Sequence, residues 1–244
     1  MPRLIKASLV SLSLLLFGCA STSHPPIVLE KNFWTKKDQK IGIYVDMQTK
    51  PLFYMDGDVR LLDYAINAAA TSTLSSYVEK LDDSEFNSVA QDLQTAAQSH
   101  GYTAEIISQK IDPSKLKDFK DPDSKDTTYF EEKNFSALKA ALGVDYLVFI
   151  KVNRVGVARP YKGFIPLADP KAILEASGEL IDMSSNQLLW SSPIMESTAA
   201  NGQWDEPPNY PGLTNSFYVS LAAAKQQIIS EIGQQTQQSA KNGE

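Results

Sequence analysis

Leu138-Lys139-Ala140-Ala141-Leu142-Gly143-Val144-Asp145-Tyr146-Leu147-Val148-Phe149-Ile150-Lys151-Val152 joins a helical pattern to a strand across one glycine. The helical pattern begins near Phe130. Gly143 is placed to stop it, because glycine adopts the left-handed conformation that closes a helix at no steric cost. Asp145 to Val152 is a nearly continuous apolar run. A run of that kind, without polar alternation, predicts a central strand covered on both faces.

Upstream, Ile41-Gly42-Ile43-Tyr44-Val45 reads as another buried strand, and Pro51 to Asp58 as a loop. From Arg60 to Leu81 there is neither Gly nor Pro. Leu62, Ile66, Ala69, Thr73, Tyr77 and Leu81 recur at steps of three and four, which predicts an amphipathic helix with that face inward. Asp82, with Glu85 three residues on, can cap a second helix carrying Phe86, Val89, Ala90, Leu93 and Ala97. His100 precedes Gly101 and suits the negative end of that helix better than the role of a base. Tyr102 to Ser108 reads as a strand, and residues 112–128 as a polar loop.

Downstream, Ala172 to Asp182 and Gln187 to Ser192 predict a hairpin turning at Met183-Ser184-Ser185-Asn186. Residues 156–171 and 199–213 read as loops. A last helix runs from about Asn215 to Gln235, and residues 236–244 form a disordered tail. The expected fold class is therefore α/β with α+β elements. It is a single mixed-sheet domain over residues 40–235 with flanking helices, in the order β-α-α-β-α-β-β-β-α. Early β-α-β units favour parallel strands, and the hairpin adds antiparallel ones.

The first residues read as an address. Arg3 and Lys6 precede an uncharged apolar run, Ala7 to Phe17. That run is too short to span a bilayer, which takes about 20 residues, but it fits a secretory signal at 1–18. It ends in Leu16-Phe17-Gly18-Cys19, which resembles a bacterial lipobox, with bulky Phe17 as a departure. The resemblance implies cleavage before Cys19, a diacylglyceryl thioether on its sulfur and an acyl chain, such as palmitate, on the new N-terminus. Cys19 is the chain's one cysteine, so no intrachain disulfide is available. Residues 19–39 then read as a lipidated cysteine and flexible tether, with Phe33-Trp34 as a staple onto the domain. Ala20, rather than Asp, after the cysteine favours the outer membrane facing the periplasm.

The chain has 244 residues with 23 basic and 29 acidic side chains, a net charge of -6. Without residues 1–18 it keeps 21 basic against 29 acidic, a net charge of -8. An acidic balance with no basic block argues against nucleic acid as a partner. Two histidines, one cysteine and no Gly-x-Ser-x-Gly, His-Glu-x-x-His or phosphate-cradling glycine loop leave no ordinary catalytic set. The expectation is no enzyme, no cofactor and no metal. Asp121-Pro122-Asp123-Ser124-Lys125-Asp126 with Glu132 comes nearest to a calcium loop, but it lacks the turn glycine and places Lys125 among the ligands.

Two short stretches carry a family resemblance. Leu138 to Val148 resembles the helix, Gly-Ala/Val-Asp-Tyr and strand of the α/β module found in the N-terminal domain of TolB, in the curli secretion lipoprotein CsgG and in lipoprotein activators of peptidoglycan synthases such as LpoB. Gly178-Glu179-Leu180-Ile181-Asp182 with Leu188-Leu189-Trp190 resembles its hairpin. The resemblance implies a protein-interaction or accessory factor in envelope assembly or secretion, with a periplasmic or outer-membrane protein as partner or with homo-oligomers, and it brings no catalytic residues. The loops Arg159–Leu167 and Gln203–Pro211 supply the candidate contact residues Tyr161, Phe164, Ile165, Trp204 and Tyr210, since exposed aromatics with Arg form binding hot spots. The competing structural reading is that Phe164, Ile165 and Trp204 fold back as satellite core, and the alternative function is a glycan- or small-ligand-binding lipoprotein that stacks its ligand on those aromatics.

Overall fold

The computed structural model describes residues 24–36, 38–47, 49–120 and 128–233. Cys19, the signal segment, residues 121–127 of the acidic loop and the tail after 233 lie outside the described residues. The chain enters the sheet at β1 (Lys40–Asp46) and continues into β2 (Leu52–Asp58). Four helices follow: α1 (Leu61–Ala70), α2 (Ser72–Val78), α3 (Ser84–Asn87) and α4 (Val89–Ser99). Then come β3 (Thr103–Ile106), α5 (Lys139–Leu142), β4 (Tyr146–Lys162) and β5 (Ile165–Pro166). The hairpin β6 (Lys171–Asp182) and β7 (Leu188–Ala199) and the long α6 (Pro211–Gly233) complete the fold.

The sheet is mixed, as expected, in the order β3-β1-β4-β6-β7. β3, β1 and β4 run parallel, while β4, β6 and β7 are antiparallel. Leu52–Asp58 is a strand where a loop over Pro51 to Asp58 was expected. β1 pairs with residues 146–151 of β4, and β2 pairs in the same sense with residues 156–162. The two are one interrupted strand along a single edge of β4. The break falls at Pro51, which has no N–H to give to a ladder. β4 accordingly takes in residues 156–162 of the expected 156–171 loop, with a register shift between Val152 and Arg154.

Each face of the sheet has its own cover. Ile41, Ile43, Val148, Ile150, Leu180 and Trp190 face α4 and α6. α6 meets them through Leu213, Phe217, Leu221, Ala224, Ile228 and Ile232, a helical stripe. Tyr44, Leu147, Phe149, Ile181 and Leu188 point the other way, under Ile111, Phe135 and Leu142. This double burial is why the Tyr146–Ile150 run is apolar at every position. At Gly178 a Cβ atom would stand 2.2 Å from Trp190 Cη2, so the indole lies where a side chain would.

Several boundaries moved. The expected 60–81 helix breaks at Thr71, whose hydroxyl donates back to the Asn67 carbonyl. The expected helix at 130–142 is helical only from Phe135, as a 3₁₀ turn followed by α5, and Gly143 closes it in the left-handed conformation. Residues 24–36, expected to be free tether, are docked: Leu29 and Phe33 are buried. Phe33 stacks on Tyr102, and the expected staple is completed by Trp34, which stacks on His100 and donates to the Ile232 carbonyl.

Candidate functional site

The surface with the most exposed apolar side chains lies at the far end of β4. Lys162 pairs with Ile165, so Gly163 and Phe164 form a tight turn. α1 sits beside it: Asn67 Nδ2 donates to the Gly163 carbonyl at 3.1 Å, and the Asp63 carboxylate lies near the Gly163 Cα. α1 is inverted relative to the sequence expectation. Its one buried side chain is Asn67, while Leu61 (89% exposed), Leu62 (72%), Tyr64 and Ile66 face outward. The helix meets the hairpin backbone through polar Asn67 and Asp63, and its apolar residues are left exposed. Phe164, Ile165 and Leu167 are also exposed, at 57–61%.

The candidate contact residues divide. Phe164 and Ile165 stand on this surface. Tyr161 does not: it is 3% exposed, and its hydroxyl is buried without a hydrogen-bond partner. Tyr210 is buried as well, against Tyr77, where α6 begins. Trp204 is half-buried and packs against the main core. Its Nε1 donates to Asp169 at 2.9 Å, and the Arg159 guanidinium covers its ring at 4.8 Å. The two loops do meet, but largely to satisfy one another. Leu61, Leu62, Tyr64 and Ile66 are exposed apolar residues that sequence reasoning missed. The signal was there in Leu61 and Leu62 beside Asp63, but periodicity alone cannot say which stripe of a helix finds a partner.

A second cluster lies at the opposite end of the sheet. Glu179 projects from β6 on the face opposite α6. Glu131 comes from the segment before the 3₁₀ turn, and His24 from the N-terminal stretch. His24 Nε2 is 3.3 Å from Glu131 Oε2, and the two side chains are partly buried, 12% and 13% exposed. One ligating atom from each of the three residues falls within 4.8 Å of the other two. Glu131 Oε2 is buried without a well-aligned hydrogen bond. Burial foremost, and the neighbouring Glu131 charge next, push the Glu179 carboxyl up, against the pull of His24 and Lys151. The contact with Glu131 in turn raises His24 above its usual value. These residues are spread over more than 150 positions, and no spacing in the sequence joins them.

No protein-family model matches the chain, and no curated protein matches its sequence. Solved structures do resemble it. Lipoprotein GNA1162 from Neisseria meningitidis is 14% identical over 78% of this chain and 99% of its own, with a TM-score of 0.33. Protein XCC0632 from Xanthomonas campestris, described as DUF330, is 12% identical over 86% and 93%, with a TM-score of 0.37. A PelC dodecamer from Paraburkholderia phytofirmans is 10% identical over 82% and 94%, with a TM-score of 0.28. Likeness at this level leaves the function to the residues of this chain.

Proposed function

We propose that this chain is a lipid-anchored envelope protein that works by binding another protein, through the surface that α1 and the β4–β5 turn form together, and not by catalysis. The observation that carries the reading is the inverted helix. Soluble proteins rarely leave contiguous apolar patches of more than a few hundred Å² uncovered, and such patches mark interaction sites. Here α1 turns Leu61, Leu62, Tyr64 and Ile66 outward beside Phe164, Ile165 and Leu167.

The lipobox at Leu16–Cys19 supplies the anchor, and Ala20 supports the outer membrane, facing the periplasm. The likeness of Leu138–Val148 and Gly178–Trp190 to the TolB, CsgG and LpoB module supports an accessory role in assembly or secretion. Geometry favours a protein over the anchoring bilayer as occupant. Glu179, close to His24, pairs with Phe149, and from there to Lys162 the strand extends about 40 Å. Cys19 precedes His24 by only five residues, about 17 Å fully extended. Stacking a glycan on the aromatic loops has less support, since Tyr161 and Tyr210 are buried and Arg159 lies over Trp204.

The test is a photo-crosslinking amino acid placed at position 62 or 164 in intact cells. A discrete protein adduct is expected, absent when the probe sits at Val219 on α6 and lost with Leu61→Glu. Adducts to lipid alone, or none, would overturn the reading.

A further inference from the structure

We infer that His24, Glu131 and Glu179 form a binding site for a divalent transition-metal ion of the zinc class, which fastens the N-terminal segment to the sheet. The site itself does not rest on the proposed partner surface or on lipidation. Three segments distant in sequence each contribute one side chain. Residues 129–136 are held by Asn186, which donates to the Glu131 and Lys133 carbonyls and accepts from the Phe135 and Ser136 amides. Glu179 is fixed by the ladders on both sides of β6, opposite Phe149 and Ser191. The N-terminal segment is fixed by Ile27, which exchanges two backbone hydrogen bonds with Ser191. His24 is thus delivered three residues upstream of a pinned position.

Two carboxylates brought together away from water repel unless a proton, a basic side chain or a cation stands between them. Among the described residues, no Lys or Arg lies within ion-pair distance of either Glu131 or Glu179. Lys151 on β4 and Glu132 act on the cluster only at longer range. The group that faces the carboxylates is an imidazole, which is itself a metal ligand when neutral. The buried Glu131 Oε2 makes no well-aligned hydrogen bond, and its one charged neighbour is His24 Nε2, a group that shares a metal ion as readily as it pairs.

The dimensions also suit an ion. Zinc binds imidazole nitrogen and carboxylate oxygen at about 2.0–2.2 Å, which puts neighbouring ligand atoms of a tetrahedral site about 3.3 Å apart. His24 Nε2 and Glu131 Oε2 already stand 3.3 Å apart. One ligand atom from each of the three residues lies within 4.8 Å of the other two. An imidazole donor selects against magnesium and calcium, which prefer all-oxygen sites. Three protein ligands leave the fourth position to water. If Cys19 carries lipid, occupancy also sets the length of the leash, because releasing residues 24–26 adds about 10 Å of reach.

The test is calorimetric titration of the full chain, in detergent and freed of metal by chelator, with zinc chloride at neutral pH. One equivalent should bind with a dissociation constant of micromolar or tighter, undisturbed by millimolar magnesium. Glu179→Gln and His24→Gln should each weaken binding at least tenfold, whereas substitution of the chain's other histidine, His100→Gln, should not. Melting curves in chelator check that each variant is folded. Absence of stoichiometric uptake, or uptake that either of the first two variants leaves unchanged, would overturn the assignment.

Discussion

Asn186 donates from its side-chain amide to the Glu131 carbonyl at 2.8 Å, joining the β6–β7 turn to a segment 55 residues upstream. Asn186 is fully buried and has a positive φ of 65°, a conformation that asparagine tolerates better than most residues. All four hydrogen-bonding positions of its amide are in use. One residue therefore sets the turn and also shapes the cover over Phe149.

Asn186→Ala leaves two carbonyls and two amides without this partner. We expect a loss of about 2–4 kcal/mol by urea denaturation, together with weaker zinc uptake, because Glu131 loses its support. A change under about 0.5 kcal/mol would mean that the segment is held by other contacts.

Gly178→Ala places a methyl group against Trp190, whose indole also donates to Glu231 on α6. The ring must move, at a cost of about 1–3 kcal/mol or more. A shifted tryptophan emission spectrum should accompany the loss, and an unchanged spectrum would argue against this packing.

Tyr161→Phe removes a buried hydroxyl that has no partner, so stability should hold or rise by up to about 1 kcal/mol. Tyr161→Ala should cost about 3–5 kcal/mol. Chemical denaturation separates this from a contact role, for which both variants would be nearly silent in stability.

In chelator, stability should fall as pH rises from about 4.5 to 8. The folded chain keeps the Glu179 proton up to about pH 8, whereas the unfolded chain releases it near the ordinary 4.5. The folded state therefore binds more protons across that window, and stability declines with pH. His24 acts in the same direction: its contribution is complete below pH 6.5 and is lost as pH rises through its raised folded value. Glu179→Gln should flatten the profile and raise stability at pH 8. A profile that the variant leaves unchanged would place the titration elsewhere.

Leu62→Glu with Phe164→Ser should alter stability by no more than about 0.5 kcal/mol, since both side chains are exposed. The same pair should abolish crosslinking at this surface. A large loss of stability would show that the residues are structural.

The parts of the fold legible in the sequence are those whose signal is local. The Gly143 stop, the doubly covered Tyr146–Ile150 run, the α6 stripe from Leu213 to Ile232 and the turn before Gln187 are each written within a few residues. Phe164 and Ile165 were legible as candidates because Gly163 leaves an apolar tip with little regular structure. Tyr161 and Tyr210 carry the same composition, yet they are buried, because Tyr161 pairs beside Gly57 of β2 and Tyr210 packs on Tyr77, residues more than a hundred positions away.

The sequence by itself determined β1, the start of β4, the β6–β7 hairpin and the last helix, and its Leu16–Cys19 resembles a lipobox. Only the tertiary structure decided that Leu52–Asp58 pairs with β4, that α1 turns its leucines to solvent, and that His24, Glu131 and Glu179 converge. The physical reason is common to all three. A strand's pairing, a helix's buried stripe and a ligand set are each defined by partner atoms, and here those partners lie about fifty to more than a hundred residues away along the chain.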